Sequence, residues 1–167
     1  MDFNEKYLIY VVEDDKLYNH LITEYLKKKN YTNVKSFFSG DECIQSILNK
    51  EIPDIIIQDY FMDDMNGLQV LQKVKKICPT SEFIFLTANE SIEVAISTMK
   101  TGAYDYIIKD SVALDKVVNK IQKIVKILEL EKNNRQIRLF VRLFLSAVFI
   151  LIVLSFLYFV VDIFNVN

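Results

Sequence analysis

Five short apolar runs, each followed by a segment whose apolar residues recur at helical spacing, leave this chain few folds to choose from. Tyr7 to Val12 is the first run, after which Leu17, Leu21, Ile22, Tyr25 and Leu26 mark one face of a helix. Val34 to Phe38 is the second. Ser39-Gly40-Asp41-Glu42 follows it with the Ser-x-x-Glu spacing of a capping box, ahead of Ile44, Ile47 and Leu48. The third run, Ile55 to Ile57, ends in Gln58-Asp59, and Gly67 opens a helix with Leu68, Leu71, Val74 and Ile77 facing inward. Phe83 to Leu86 precedes a helix around Val94, Ala95 and Met99; Tyr106 to Ile108 precedes a last helix through Leu114, Val117, Val118, Ile121, Ile124, Val125 and Leu128. Strands this continuously apolar are covered on both faces. The pattern therefore predicts an α/β domain, a five-stranded parallel sheet with helices on either side.

Composition removes the other classes. Three Gly, two Pro and two Cys in 167 residues exclude collagen-like, low-complexity and disulfide-scaffold chains, and point to a reducing compartment for the folded part. Residues 1–130 hold 16 Lys against 20 Asp or Glu, a balance of −4, so this domain has no general attraction for nucleic acid. Met1 to Lys6 lacks the basic and apolar regions of a signal peptide.

The C-terminal part differs in kind. From Leu143 to Val161 run 19 residues without a charge, Pro or Gly, roughly 28 Å of helix against the ~30 Å hydrocarbon core of a bilayer. A buried core helix would need a shell of other elements around it, and the domain before it is complete without it. Lys132, Arg135, Arg138 and Arg142 precede the stretch and Asp162 alone carries charge after it. The positive-inside tendency then places the long N-terminal part in the cytosol and the tail across the cytoplasmic membrane, in a single pass. The expected organisation is a folded domain over 1–130, a basic helical connector over 131–142, a transmembrane helix over 143–161 and a short tail over 162–167.

In open parallel sheets, ligands bind outside the carboxyl ends of the strands. Those ends carry Glu13-Asp14-Asp15, Asp59, Thr87 and Lys109. Carboxylates converging at one edge repel one another and call for a cation, and hard oxygen ligands with room for waters suit Mg²⁺. A carboxylate beside such an ion can attack a phosphoryl group, while a Lys ammonium and a Thr hydroxyl steady its oxygens. The competing reading, acids that favour a helix dipole, accounts for Asp14 or Asp15 taken singly but not for the set.

Over about residues 5–128 the chain resembles the receiver domain of two-component response regulators. The matching stretches are Val11-Val12-Glu13-Asp14-Asp15, Pro53-Asp54-Ile55-Ile56-Ile57-Gln58-Asp59, Met62-Asp63-Asp64-Met65-Asn66-Gly67, Phe85-Leu86-Thr87-Ala88 and Gly102-Ala103-Tyr104-Asp105-Tyr106-Ile107-Ile108-Lys109. The resemblance implies a flavodoxin-like receiver fold in which Asp59 accepts a phosphoryl group from a sensor histidine kinase. It also implies that Glu13, Asp14, Asp59 and the Phe61 backbone carbonyl hold Mg²⁺, directly or through water. Thr87 and Tyr106 fall to the switch, and Lys109 to the phosphoryl contact. Asp110 stands where the family commonly has a Pro after this Lys, and Asp63 where a Pro is frequent in the loop after the phosphoacceptor.

The reading that follows is a membrane-anchored receiver, not an enzyme beyond its own phosphorylation and dephosphorylation. The chain after Leu128 leaves no room for a DNA-binding module, so output to an unknown protein effector is expected. An aspartate-based phosphatase would carry a general acid two residues after its nucleophile, where this chain has Phe61. An unphosphorylated scaffold would not need all five chemical positions. The stripe from Leu114 to Leu128 could continue into a homodimer contact, although most of it must cover the sheet. His20 reads as a surface residue, Cys43 and Cys78 as structural thiols, and the lysines at 27–29 and 73–76 as solvated helix ends.

Overall fold

A computed structural model describes residues 6–63 and 65–165, with side chains described to Val153. The expectations placed on Met1 to Glu5, on Asp64, on the side chains after Val153 and on Val166 and Asn167 lie outside the described residues. The chain forms two compact units, one ending at Val125 and the other beginning at Lys126.

The first unit alternates strand and helix as the pattern requires: β1 (Ile9–Val12), α1 (Lys16–Lys28), β2 (Val34–Phe37), α2 (Gly40–Leu48), β3 (Ile55–Gln58), α3 (Gly67–Ile77), β4 (Glu82–Thr87), α4 (Ile92–Thr101), β5 (Asp105–Ile108) and the start of α5 (Ala113–Asn165). All pairings are parallel and the strand order is β2-β1-β3-β4-β5. The three central strands are buried on both faces: Ile9 to Val12, Ile55 to Gln58 and Phe83 to Thr87 are all out of solvent. Strand order reverses between β1 and β3, whose register sets Val12 beside Gln58. The residues just past that pair, Glu13 and Asp59, therefore open into the crevice where such sheets bind ligands.

Local chemistry places the helix starts. Asp15 caps α1, its Oδ1 accepting from the Leu17 and Tyr18 N–H groups at 2.8 and 3.2 Å, so the Glu13-Asp14-Asp15 triplet divides between site and cap. Ser39 caps α2, while Glu42 reaches back to the Phe38 N–H at 3.0 Å. Asn66 and Gln69 form a full capping box on α3, and Gly102 ends α4 in the left-handed region at φ 103°.

The inward faces depart from expectation in places. On α1, Leu17 and Leu21 are 84% and 50% exposed, and the buried line is Asn19, Ile22 and Leu26. Asn19 is an interior residue because its amide donates to the carbonyls of Glu13 and Phe37 at 3.0 and 2.9 Å. Its presence on that face masks the apolar period. Leu48 and Ile77 lie in last helical turns and face solvent, and on α4 the buried residue is Thr98, with Met99 exposed. His20 is exposed, and Cys43 and Cys78 are buried free thiols, the former pushed up to about 12 by burial.

Gly67 is required by close approach. A Cβ there would lie 2.3 Å from the Asp59 carbonyl oxygen and 2.7 Å from a Phe85 ring carbon. Gly67→Ala is expected to destabilise the fold by about 1 to 3 kcal/mol, as overpacking does, with backbone displaced at Asp59. Thermal unfolding measures it; an unchanged midpoint would show that the strand end yields freely.

The second unit is the remainder of α5. Among the described residues this is the one helix long and apolar enough to cross a membrane, and none of its most apolar window is buried.

Candidate functional site

Each predicted residue can be followed to the carboxyl edge of the sheet. Glu13, directly after β1, is 2% exposed; Asp59, directly after β3, is 7% exposed; Asp14 is half-buried. Carboxylate oxygens of all three lie within 4.8 Å of one another. The backbone fixes the two ends: the Glu13 N–H donates to the Phe37 carbonyl at 3.1 Å and the Asp59 N–H to that of Val12 at 2.9 Å. Asp59 Oδ1 accepts from the Tyr60 N–H at 2.7 Å.

Lys109 enters from the end of β5. Its Nζ donates to Glu13 Oε2 at 2.7 Å, stands 3.3 Å from Asp59 Oδ2 and lies 4.5 Å over the Tyr18 ring. The Lys109–Asp110 peptide is trans, and the ammonium reaches both carboxylates with that backbone. Burial pulls the ammonium down, but the Glu13 hydrogen bond and the charges of Asp59 and Glu13 outweigh it, so its proton is held more tightly than usual. Burial pushes the Glu13 carboxyl up to about 7; the Lys109 hydrogen bond opposes this and the Asp59 charge adds to it.

Three acids face one ammonium in this cluster. Hard oxygen donors converging from two strand ends, with excess negative charge and a partly open side at Asp14, fit a small divalent cation that keeps part of its water shell.

Thr87 ends β4 fully buried, its Oγ1 accepting from the Asn89 N–H at 3.2 Å. Tyr106, half-buried in β5, stacks on Phe85 with centroids 6.1 Å apart and donates its hydroxyl to the Asn89 carbonyl at 2.7 Å. Burial, then the neighbouring Tyr60 and Asp59, push its phenol up to about 12, so it donates throughout the physiological range. Thr87 and Tyr106 thus meet on one loop segment through the backbone of Asn89. Phe61 is 60% exposed and set edge-on to Tyr60, with ring centroids 5.1 Å apart.

Sequence reasoning passed over Gln58. It is fully buried, and its Nε2 donates to the Asp59 carbonyl at 2.8 Å and to Met62 Sδ at 3.4 Å. Among the described residues its Oε1 has no hydrogen-bond partner. A polar residue closing an otherwise apolar strand beside Asp59 was the available signal.

Comparison with known proteins agrees with this geometry. Residues 9–122 match the family described as the response regulator receiver domain. The luminescence regulatory protein LuxO of Vibrio campbellii is 44% identical over 71 residues, 42% of this chain and 16% of LuxO. The transcriptional regulatory protein ZraR of Escherichia coli K12 is 32% identical over 101 residues, 60% of this chain and 22% of ZraR. The chain thus spans less than a quarter of the length of these curated relatives. A CheY-like response regulator receiver domain protein from Methanospirillum hungatei JF-1 superposes with a TM-score of 0.69 at 26% identity, covering 75% of this chain and 98% of that one. The signal receiver domain of a LuxO repressor protein from Vibrio parahaemolyticus gives 0.68 at 25% identity, covering 75% and 95%. The match runs through all five strands and takes in both the acid cluster and its lysine: the chain belongs to the receiver domain family of two-component response regulators.

Proposed function

We propose that the protein is a membrane-anchored receiver that takes a phosphoryl group from a sensor histidine kinase onto Asp59, in an Mg²⁺-dependent reaction, and signals by contact with a protein effector. The observation that carries the reading is the meeting of Glu13, Asp14, Asp59 and Lys109 at the strand-order reversal. Glu13, Asp14, Asp59 and the Phe61 carbonyl would hold the cation. When bound, Mg²⁺ supplies positive charge against the phosphoryl oxygens. Asp59 offers Oδ2 as nucleophile: the phosphorus–nitrogen bond of the donor phosphohistidine breaks, an acyl phosphate bond forms, and the imidazole leaves with the bonding electron pair and takes up one proton from solvent. Lys109, already 3.3 Å from that oxygen, neutralises a phosphoryl oxygen, and the Thr87 hydroxyl donates to another. The turn of Thr87 toward the phosphoryl group acts on Asn89, and through it on Tyr106, which makes this pair the switch.

On this reading the protein is no enzyme toward a second substrate; it catalyses its own phosphorylation and dephosphorylation. The acidic balance of residues 1–130 supports protein partners over nucleic acid. The charge-free helix behind a basic connector supports a single-pass anchor in the cytoplasmic membrane with the receiver in the cytosol. The test is labelling with a small phosphodonor. One equivalent of hydroxylamine-sensitive phosphate is expected, and none when Mg²⁺ is chelated before the donor is added; no label with Mg²⁺ present, or a hydroxylamine-resistant one, overturns the reading.

A further expectation concerns lifetime. Phe61 offers an attacking water no hydrogen bond, and the Asn89 carbonyl groups are engaged by Tyr106 and Ser91. The phosphorylated form is expected to decay severalfold more slowly in wild type than in Phe61→Asn, because an apolar side chain at 61 cannot orient the attacking water. Phosphate release after donor removal measures this, and equal decay rates would count against a role for position 61.

A further inference from the structure

Between residues 127 and 144, one line of apolar residues on α5 keeps heptad spacing, while the exposed Leu139, Phe140 and Leu143 lie off it. Ile127, Leu130, Ile137, Val141 and Phe144 follow the three-and-four spacing of a heptad seam, at positions a, d, d, a and d, and Asn134 holds the a position in the middle. The five apolar side chains are between 45% and 60% exposed. Lys132, Arg135 and Arg142 occupy outer f and b positions, Arg138 flanks the seam at e, and no Asp or Glu occurs from Lys132 to Val161.

We infer that this face is a parallel homodimer seam, in which Ile127, Leu130, Asn134, Ile137, Val141 and Phe144 each meet their counterpart in a second copy of the chain. Three observations select a second copy. An Asn amide carries both donors and an acceptor, so two Asn134 side chains satisfy one another across a twofold axis, whereas an apolar partner would leave the amide desolvated. In a parallel pair a g position faces the e position of the next heptad on the other helix. Lys126 at g therefore meets Glu131 at e of the second copy, twice by symmetry, and both side chains are solvent-exposed. The helix also runs on to Asn165 with no Pro or Gly to turn it, so its apolar face cannot lie flat on a bilayer while the charge-free stretch crosses it.

A seam of about two and a half heptads is short for association in dilute solution. A shared anchor holds both copies in one direction and raises their effective concentration, and to that extent the inference rests on the anchored reading above. The seam itself is read from the heptad and its charges.

The test is a cysteine scan of the full chain in its membranes under mild oxidation, with wild type as background. Leu130→Cys, Ile137→Cys and Val141→Cys are expected to cross-link into homodimers at least about fivefold more than Lys132→Cys and Arg135→Cys, because only seam positions approach their counterparts. Adding Ile137→Lys to Leu130→Cys should remove the cross-link while leaving phosphoryl labelling by a small donor unchanged. Asn134→Leu should keep the cross-link at position 141 and add species larger than dimers. Uniform cross-linking around the helix, none at all, or adducts with the mass of another protein would overturn the inference. The anchored reading fails separately, by carbonate extraction, and the same scan can then be read on the soluble chain.

Discussion

Asp59→Asn is expected to reduce phosphoryl labelling to background while the protein stays folded. The change is isosteric: the amide oxygen can still accept from the Tyr60 N–H, which Asp59 Oδ1 meets at 2.7 Å. What disappears is the nucleophile facing Lys109, because an amide nitrogen has no lone pair free to attack phosphorus. The substitution also removes one of three crowded carboxylates, so the melting temperature is expected to hold or rise slightly while labelling vanishes. That combination separates a chemical role from a structural one. Labelling of the Asp59→Asn protein at wild-type strength would remove Asp59 from the mechanism. Glu13→Gln and Asp14→Asn should act differently, through the cation: labelling is expected to persist but to need more Mg²⁺, and a magnesium titration of the labelling rate reads the shift.

Deleting residues 131–167 is expected to move the protein from a carbonate-resistant membrane pellet to the soluble fraction. Fifteen of the nineteen residues from Leu143 to Val161 are Leu, Ile, Phe or Val. Each contributes about 0.3 to 0.6 kcal/mol toward insertion at a helix centre, roughly 5 to 9 kcal/mol together. The cut leaves the receiver whole, since the α5 residues that close its core, Val117, Val118, Ile121, Ile124 and Val125, all precede it. The shortened chain should still label on Asp59 with a small donor, but take phosphate more slowly from a membrane-embedded kinase, having lost the local concentration that tethering provides. Fractionation and protease access to the two ends measure both halves of the expectation. Full-length protein in the carbonate supernatant, or a C-terminus reached from the cytosolic side, would sink the anchored topology.

Strand identity and sheet class were legible because fully buried strands must be continuously apolar. Ile55 to Ile57 and Phe83 to Leu86 announce themselves without any knowledge of their neighbours. The site was legible for a related reason: Glu13, Asp59, Thr87 and Lys109 each follow such a run, and parallel strands bring their carboxyl ends to one edge. Helix faces were less legible. A helix packed on a sheet can place a polar residue inward if the strand ends offer it partners, as Glu13 and Phe37 do for Asn19, and no local pattern reveals those partners.

What the amino-acid order determined by itself is thus the sequence of elements, the parallel sheet, the edge on which the chemistry gathers and the apolar helix that follows, all consequences of local periodicity and burial. The tertiary structure alone decided the pairings that depend on residues far apart in the chain. It divided Glu13-Asp14-Asp15 between site and cap, set Lys109 against both Glu13 and Asp59, joined Thr87 to Tyr106 through Asn89, and placed Gly67 where any Cβ would strike the Asp59 carbonyl. Distances of a few ångströms between side chains on different strands arise only when the sheet and its helices close, because they depend on how whole elements pack and not on the spacing within any one of them.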